Sequence, residues 1–360
     1  LSYIPESRMN DVIYFDPAYT PRPMGLNMME YDTRFPEQKT FVVDELLGIF
    51  NKLFDMKTAG GPMFEQYFRN SAMLVIDDPE SGNTLLDISR VLSDADFRKL
   101  KISKCTNPVV KQFWEGIATK AGGEASLENI VPYVVSKFDV FLANEIMRPI
   151  IAQEKSAFNF RKIMDDKKIL LVNLSKGRLG EINANLIGMI IVGKIQMAAL
   201  SRVDIPEKER NDFYLYIDEF QNVTTDSIES ILSEARKYRL SLNIAHQYIA
   251  QLPDNIKEAV FGNVGSVSAF RVSAEDAQFL ESKFAPTFTA SDIQKIENWN
   301  AYMSMLVDGS PVKPFNIATM APPKGNEEII EHLKELSYMI HGRDREEVEA
   351  EIMERYRNMK

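Results

Sequence analysis

Several residue types that build metal and disulfide sites are scarce in this sequence. It has a single cysteine, Cys105, and three histidines that lie far apart in the chain, His246, His332 and His341. One cysteine cannot form an internal disulfide or a cysteine-based zinc site, and a reducing compartment such as the cytoplasm is the default for such a chain. No apolar run approaches the roughly 20 residues of a membrane-spanning helix. The apolar segment 181–200 instead predicts a helix that is buried nearly all round.

Positive charge is also in deficit. The formal net charge is −10 at pH 7, which argues against a surface coated in basic residues for non-specific nucleic-acid binding. Charge acts over only about 8–10 Å at physiological salt, so basic loops that line a channel remain compatible with this balance. The composition alone therefore gives no support to DNA as a partner and does not exclude it.

A phosphate-binding loop of the form G-x-x-x-x-G-K-[ST] is absent from all 360 residues. In nucleotide hydrolases, the backbone N–H groups of that loop cradle the phosphates and its lysine reaches them. The closest approximation is NLSKGRLGE, residues 173–181, but its spacing is wrong and its second glycine is not followed by Lys-Ser or Lys-Thr. We predict a strand-to-helix turn there. The alternative is that Lys176 and Arg178 face a nucleotide or a neighbouring subunit.

Apolar runs typical of buried strands alternate with helical patterns at both ends of the sequence. The predicted strands are residues 12–15, 167–174, 213–217, 242–245 and 266–272. Because this alternation is typical of a parallel sheet covered on both faces, we predict an α/β fold with a mostly parallel sheet. Two late runs, residues 301–307 and 314–319, predict strands that pair through the Asp308-Gly309 turn.

The pattern between the first two strands is helical throughout. In FVVDELLGIFNKLF, for example, Val43, Leu46 and Phe50 recur on one helical face. We predict an all-helical domain inserted into the sheet domain, and a charged helical tail that is solvated or binds a partner. The predicted bounds are 1–38 for the start of the sheet core, 39–155 for the insert, 156–322 for the rest of the core and 323–360 for the tail.

The segment FYLYIDEF, residues 213–220, suggests chemistry most directly. Its apolar residues predict a buried strand, and Asp218 and Glu219 follow at the carboxyl end, where open α/β sheets bind ligands. Nucleotide hydrolases use one such acid to hold Mg²⁺ and another to activate water. Successive residues leaving a strand point in different directions, so Asp218 would hold the metal ion and Glu219 would orient or deprotonate the water. The alternative is an exposed turn after a core strand.

Two further polar residues lie near the acid pair in the predicted topology. Gln247 follows the next strand, and the carboxyl ends of neighbouring parallel strands can face the same ligand. Its amide would contact a γ-phosphate or the attacking water. Arg236 lies on the helix between the two strands, whose start Asp226 can cap. Spacing alone favours a cation that complements the helix macrodipole over an arginine finger that reaches a neighbouring subunit.

The segment FYLYIDEFQNVTTDSIESILSEARKYRLSLNIAHQYIAQL resembles the motor domain of TraG/TraD-like type IV secretion coupling proteins. These conjugative DNA pumps belong to the FtsK–HerA class of ring-shaped P-loop ATPases. The resemblance continues through NVGSVSAFRVSAEDAQFLESKF and includes the early segment YIPESRMNDVIYFDP, so it extends over most of residues 1–320. It implies a RecA-like core interrupted by an all-helical insert.

The resemblance also implies roles for individual residues. The family's Walker B acids match Asp218 and Glu219, its arginine finger matches Arg236, and its γ-phosphate-sensing glutamine matches Gln247. ATP and Mg²⁺ are the implied cofactors, with Asp218 as the metal ligand, directly or through water. The implied assembly is a homo-hexamer that pumps DNA, works at the cytoplasmic face of the membrane and meets secretion-channel or relaxosome proteins.

The family's Walker A lysine and hydroxyl residue have no counterpart in this sequence. We therefore expect the chain to begin after that element and to be inactive as an ATPase by itself. Three functions follow for the whole protein. They are an ATP-driven DNA translocase, a secretion ATPase that acts on protein cargo, and a non-catalytic interaction module that has lost its nucleotide site.

Overall fold

The computed structural model of the protein describes residues 1–120, 122, 126–225 and 228–357. The chain forms two compact units. The first unit comprises Leu1–Asn211 and Asn326–Lys360, and the second comprises Asp212–Gly325. These limits differ from those of the four predicted segments, whose bounds stay a prediction. Asp226, the predicted helix cap, lies outside the described residues.

The described residues contain nine strands and seventeen α-helices, joined by loops and short turns. The strands are β1 Val12–Phe15, β2 Ile169–Val172, β3 Phe213–Ile217, β4 Leu240–Ile244, β5 Val267–Ala269, β6 Asn300–Ser304, β7 Leu306–Val307, β8 Ser310–Pro311 and β9 Phe315–Ala318. The helices are α1 Gln38–Phe54, α2 Met56–Ala59, α3 Gly61–Asp77, α4 Leu85–Ser93, α5 Ala95–Lys104, α6 Pro108–Gln112, α7 Leu127–Leu142, α8 Arg148–Ile151, α9 Phe160–Asp165, α10 Lys176–Leu179, α11 Glu181–Leu200, α12 Ile228–Glu234, α13 Asp254–Asn263, α14 Ala274–Phe284, α15 Ala290–Gln294, α16 Ile329–His341 and α17 Arg345–Arg357. Short 3-10 turns include Phe220–Asn222, Ala235–Tyr238 and Ile249–Gln251.

The first unit contains one parallel strand pair. β1 and β2 run side by side, with Val12 opposite Ile169 and Phe15 opposite Val172. Both strands were predicted from their apolar runs, and β2 is shorter than the predicted residues 167–174. The described residues between these strands form helices and turns without a strand, as the helical pattern predicted.

Aromatic packing holds the helical part of the first unit together. Phe50 of α1 is fully buried, and its ring centroid lies 5.2 Å from that of Phe68 on α3. It also lies 4.7 Å from the ring of Phe138 on α7. Phe68 and Phe138 stack on each other with centroids 5.5 Å apart. Three helices separated in sequence are thus joined by one ring cluster, which explains the one-sided apolar pattern of α1.

Helix α11 is apolar on every side, as predicted. Among the described residues, the segment Glu181–Asp204, which includes α11, is the one helix that by length and composition could cross a membrane. We predicted that no apolar run approaches the length of a membrane-spanning helix, and by length and composition that prediction is wrong. Yet 89% of its apolar window is buried inside the protein. Its Lys194 donates to the backbone carbonyl of Glu30, and burial lowers the pKa of Lys194 to about 8.

The charged C-terminal helices pack on the first unit, so the alternative of a solvated tail is wrong. The backbone N–H of Tyr14 on β1 donates to the Ser337 hydroxyl at 2.8 Å. The ring of Tyr338 stacks on Tyr19 with centroids 3.8 Å apart. Apolar residues on the inner faces of α16 and α17 are buried although both helices are rich in charge. The charge lies on the outer faces, and composition alone did not reveal the buried stripe.

The second unit combines one parallel pair with an antiparallel sheet. β3 and β4 pair in parallel and in register, from Phe213 opposite Leu240 to Ile217 opposite Ile244. β5, β6 and β9 form a three-stranded antiparallel sheet in that order. The late strands pair as predicted, and Asp308 and Gly309 turn the β7–β8 hairpin with positive φ angles. The α/β class is thus confirmed, whereas the described strands form separate small sheets and not one mostly parallel sheet.

Candidate functional site

The predicted acid pair and the predicted glutamine lie at the same end of two neighbouring strands. Because β3 and β4 are parallel and in register, the residues that follow each strand emerge at one edge. Two backbone hydrogen bonds continue past the strands and tie the following loops together. The N–H of Ala245 donates to the carbonyl of Ile217 at 2.9 Å, and the N–H of Phe220 donates to the carbonyl of Ala245 at 3.1 Å.

Glu219 occupies an unusual backbone conformation. Its φ of 49° and ψ of 45° lie in the left-handed helical region, which costs a residue with a Cβ roughly 1–2 kcal/mol. The carboxylate of Asp218 accepts a hydrogen bond from the N–H of Glu219 at 3.0 Å and supports this turn. Such strain clusters at functional sites because the surrounding structure must hold it in place. The turn after β3 is therefore held in a defined conformation.

The Glu219 carboxylate lies between two glutamine amides. The side-chain amide of Gln247 donates to Oε1 of Glu219 at 2.5 Å, and that of Gln221 donates to Oε2 at 2.7 Å. Gln221 also donates to the Oε1 atom of Gln251 at 3.1 Å. We call these four residues, Glu219, Gln221, Gln247 and Gln251, the acid–amide cluster. Both carboxylate oxygens accept charge-assisted hydrogen bonds, which are stronger than bonds between neutral groups.

Sequence reasoning missed Gln221 and Gln251. Each lies in a 3-10 turn, Phe220–Asn222 or Ile249–Gln251, a few residues beyond the carboxyl end of its strand. The sequence did offer one signal for them. Both loops follow the carboxyl ends of neighbouring parallel strands, so a polar side chain in either loop can reach Glu219. What the sequence did not show is the tight winding of both loops, which brings the two amides into one cluster.

A neutral imidazole lies beside the acid–amide cluster. His246 directly precedes Gln247, and its ring meets that of Phe220 edge-on, with centroids 5.3 Å apart. Burial lowers the pKa of His246, and the nearby carboxylates of Asp276 and Glu219 oppose this only in part. Burial therefore favours the uncharged form of His246.

Arg236 lies away from the acid–amide cluster of its own chain. It belongs to the 3-10 turn Ala235–Tyr238, which leads into the amino end of β4. The N–H of Phe213, the first residue of β3, donates to the carbonyl of Arg239 just after this turn. Five strand residues span about 16 Å, so the exposed Arg236 and Glu219 lie at opposite ends of the pair. The structure brings Asp218, Glu219 and Gln247 together and leaves Arg236 apart.

The two cations of the glycine-bearing loop have partners within the first unit. Lys176 donates to Glu181 at 2.9 Å, and Arg178 donates to the carbonyl of Ala18 at 2.7 Å. Arg178 also lies 3.6 Å from the carboxylate of Asp16, which follows β1. The segment forms the predicted strand-to-helix turn, and Gly180 has a φ of 80° between α10 and α11. Arg178 holds the segment that follows β1, and Lys176 bonds the first residue of α11, so both cations have structural roles.

The residues at the strand ends fit Mg²⁺ only as part of a larger ligand set. Among the described residues, no three histidine, cysteine or acidic side chains form a group that could hold a metal ion. Mg²⁺ prefers oxygen ligands, retains waters and commonly takes one or two protein carboxylates together with substrate phosphates. Asp218 is exposed just after the carboxyl end of β3, so its carboxylate suits the role of that protein ligand.

Comparisons with known proteins agree with the resemblance in the sequence. Residues 212–291 match the model of a family described as the TraM recognition site of TraD and TraG. Solved structures of the bacterial conjugative coupling protein TrwB share the fold with a TM-score of 0.59, in an unbound form, with ADP and Mg²⁺, and with the ATP analogue ADPNP. Each is 14% identical to this chain, and the alignment covers 88% of this chain and 76% of that chain. No curated protein matches the sequence.

The family model spans all four predicted site residues, Asp218, Glu219, Arg236 and Gln247. Together with the shared TrwB fold, it confirms the resemblance to TraG/TraD-like conjugative coupling proteins over residues 212–291. At 14% identity, the structural match supports the fold alone. The roles of the four residues therefore stay predictions that rest on their placement at the strand ends.

Proposed function

We propose that the chain is part of an ATP-driven ring translocase that pumps DNA in type IV secretion coupling. The observation that carries the proposal is the convergence of Asp218, Glu219 and Gln247 at the carboxyl ends of β3 and β4. An exposed carboxylate, a carboxylate held by amides and an amide that suits contact with a γ-phosphate, all in one place, suit phosphoryl transfer to water. The two hydrogen bonds to the carboxylate of Glu219 favour this function over an exposed turn without function.

Each residue of the site has a distinct part in hydrolysis. Asp218 would hold Mg²⁺, and the bound ion would supply positive charge that neutralises the transferred phosphoryl group. Glu219 would accept a proton from the attacking water, and it becomes a stronger base when one of its two amide donors moves away. We expect the amide of Gln247 to break its hydrogen bond to Glu219 and to donate to the γ-phosphate in its place. Gln247 thereby links the presence of ATP to the release of the base.

Arg236 acts between subunits in this proposal. It lies at the other end of β3 and β4, so it cannot reach the acid–amide cluster of its own chain. In a homo-hexamer, the exposed guanidinium of one subunit would stabilise transition-state charge at the nucleotide of the next. Hydrolysis would then depend on ring assembly, as a translocase that coordinates its subunits requires.

ATP and Mg²⁺ are the proposed cofactors. TrwB, whose fold the chain shares, has been solved with ADP and Mg²⁺ and with non-hydrolysable ATP and GTP analogues. The 360 residues contain no phosphate-binding loop motif. We therefore expect these residues alone to bind ATP poorly, and the activity belongs to an assembly in which such a loop is present.

The proposed partners follow from the family. The matched segment is described as a TraM recognition site, so a relaxosome protein of that kind is the proposed protein partner. DNA is the proposed cargo, and the cytoplasmic face of the membrane is the proposed location. Because the net charge is −10, we expect any DNA contacts to be made by local basic surfaces.

The test of the proposal is the substitution Glu219→Gln in the whole coupling protein. We expect ATP binding to be retained and hydrolysis to fall by about 10²–10⁴-fold, because the base is lost while the amide preserves the shape of the cluster. The control is Glu258→Gln, the same change at an exposed position of α13. Unchanged turnover in Glu219→Gln would remove Glu219 from the role of base.

Two other functions can be distinguished from DNA translocation by direct measurements. A secretion ATPase for protein cargo would show no stimulation of hydrolysis by DNA, whereas the DNA translocase would. A non-catalytic interaction module is favoured by the description of the matched family as a recognition site. In that case, TraM-type partners would bind while Mg²⁺ and ATP would leave the acid–amide cluster unchanged.

A further inference from the structure

The largest apolar side chain of the second unit lies mostly in solvent. Trp299, which directly precedes β6, is 79% exposed. Residues close to it in the chain are packed inside, since Ile296 and Ala301 are buried. The exposure of the ring therefore does not come from a lack of core in this segment. Single exposed apolar residues are common on protein surfaces, so the case for a function depends on how this residue is held.

The backbone of Trp299 is fixed in a conformation that bulky residues avoid. Its φ is 65°, in the left-handed region, which is an outlier for a residue of this size. Its carbonyl accepts two hydrogen bonds from Thr319, one from the N–H at 2.7 Å and one from the hydroxyl at 2.8 Å. The next residue, Asn300, begins β6 opposite Ala318 of β9, so the antiparallel sheet holds the turn. Backbone strain of this kind clusters at functional sites.

A guanidinium group lies beside this turn. Arg271 follows β5, whose Ala269 pairs with Tyr302 of β6. Its side chain donates to Oδ1 of Asn298 at 3.0 Å, and Asn298 directly precedes Trp299. Arg271 is exposed and, within the described part of the chain, forms no ion pair. Its positive charge is therefore available to a ligand at the turn.

Arg271 also connects the turn with the strand ends of the candidate functional site. It lines a groove of about 1220 Å³ together with His246 and Gln247, the residues that follow β4. Gln247 belongs to the acid–amide cluster through its bond to Glu219. A ligand held at Trp299 and Arg271 would therefore lie at the border of the groove that Gln247 also lines.

We propose that Trp299 and Arg271 form a site for a nucleobase and the phosphate group that flanks it. Bases stack on aromatic side chains and on the planes of arginine guanidinium groups. Stacking accepts every base, because each one has a π face. Arg271 would also donate charge-assisted hydrogen bonds to the phosphate. This ligand chemistry is shared by single-stranded DNA and by a free nucleotide, and the experiment below separates the two sources.

The surroundings of the ring favour a nucleobase over a protein partner. The side chain of Asn300 donates to the carbonyl of Asn298 at 3.3 Å, and that of Asn316 donates to Oδ1 of Asn300 at 3.2 Å. The ring thus stands among amides and a guanidinium, which offer hydrogen bonds and positive charge. The inference rests on the proposed function, because a nucleic-acid motor with a net charge of −10 needs local contacts of this kind.

Tryptophan fluorescence tests the site directly, because the chain has only two tryptophans. Trp114 is fully buried and Trp299 is exposed, so a ligand that stacks on Trp299 should quench the emission that acrylamide can also reach. The probes are oligo(dT) of about 12 nucleotides, ATP, and an abasic strand that keeps the phosphates of the oligonucleotide without its bases. We expect quenching by probes that carry a base and none by the abasic strand. Quenching by oligo(dT) alone would assign the site to DNA, and quenching by ATP alone would assign it to a free nucleotide.

Substitutions separate stacking from charge. Trp299→Ala should weaken binding of the quenching probe by about 5–150-fold, the range for one stacked base, and Trp299→Phe should weaken it less because an aromatic face remains. Arg271→Gln should lower the slope of log affinity against log salt by about 0.7 for a single strand, since one phosphate contact is lost. The matched control is Tyr214→Ala, which removes an aromatic side chain that is 59% exposed on β3. It should change neither quantity.

Four results would overturn the site. They are no quenching by oligo(dT) or ATP, equal quenching by the abasic strand, and equal losses of affinity in Trp299→Ala and Tyr214→Ala. The fourth is a loss of acrylamide access to Trp299 as the protein concentration rises, together with a dimer in sedimentation, which would assign the ring to a contact between copies of the chain. Trp299→Gly gives an independent check, because glycine adopts the left-handed conformation freely. It should abolish quenching without lowering urea stability, and a large loss of stability would mean that the ring serves the fold.

Failure of the site and failure of the proposed function give different results. If the probes quench Trp299 but DNA does not stimulate ATP hydrolysis by the whole coupling protein, the nucleobase site stands and the DNA translocase fails. If DNA stimulates hydrolysis equally in the unsubstituted protein and in Trp299→Ala, and no probe quenches Trp299, the translocase stands and the site fails.

Discussion

Two glutamine amides donate hydrogen bonds to Glu219. We predict that removing one of them raises the rate of ATP hydrolysis and that removing the other lowers it. Gln221 donates to Oε2 of Glu219 at 2.7 Å, and Gln247 donates to Oε1 at 2.5 Å. Each of these hydrogen bonds stabilises the charged carboxylate and so makes Glu219 a weaker base toward water. The substitution Gln221→Ala removes one donor permanently, and the substitution Gln247→Ala removes the donor that we propose for the γ-phosphate.

The size of the effect follows from the strength of one such hydrogen bond. A bond to a charged acceptor contributes about 1.5–3 kcal/mol, and partial exposure of Glu219 and Gln221 reduces this to about 1 kcal/mol. A barrier lower by about 1 kcal/mol corresponds to a rate about fivefold higher. We therefore expect Gln221→Ala to raise kcat by up to about fivefold. Gln247→Ala should lower kcat, because transition-state contacts to the phosphate are lost with the amide.

The assay is steady-state ATP hydrolysis by the whole coupling protein under saturating nucleotide. Gln278→Ala is the matched control, because Gln278 is an exposed glutamine on α14 of the same unit. Its rate should equal that of the unsubstituted protein. A similar loss of kcat in Gln221→Ala and Gln247→Ala would refute the reasoning, since it would mean that both amides position Glu219 for catalysis and neither restrains it.

Two further predictions concern stability. Burial lowers the pKa of His246, so the folded state binds its proton less readily than the unfolded state, and stability should fall as the pH drops below the usual value of 6.5. His246→Gln should reduce the loss of urea stability between pH 7 and pH 5, whereas His332→Gln, at an exposed position, should not; equal slopes would contradict the assignment. Phe50→Ala should cost about 3–5 kcal/mol in urea unfolding because the ring is fully buried among aromatic side chains, and a loss below about 1 kcal/mol would mean that the ring cluster does not hold the helices together.

Elements with strong local patterns could be predicted from the sequence. The apolar run Phe213–Ile217 predicted β3, and the next run predicted most of β4. The prediction that β3 is buried is wrong, because Tyr214 and Tyr216 on one of its faces are exposed. From these two strands, the meeting of Asp218, Glu219 and Gln247 followed by topology alone. Parallel strands in register leave their following residues at one edge, and the bond between Gln247 and Glu219 confirms that this pair meets.

Features that depend on tertiary contacts could not be predicted in the same way. The left-handed turn at Glu219 and the places of Gln221 and Gln251 depend on two short 3-10 turns that carry no strong sequence signal. The packing of Tyr338 against Tyr19 joins residues more than three hundred positions apart, and the charged composition of the last helices concealed it. The separation of Arg236 from the acids was implicit in the topology, because a helix between parallel strands returns the chain to the opposite edge.

The most direct test of the central claim is a structure of the whole coupling protein with Mg²⁺ and ADPNP. We expect a triphosphate at the carboxyl ends of β3 and β4, with Asp218 at the metal ion. The amide of Gln247 should have moved from Glu219 to the γ-phosphate, and the neighbouring subunit should supply Arg236. A nucleotide bound elsewhere, with Glu219 still held by both Gln221 and Gln247, would contradict it.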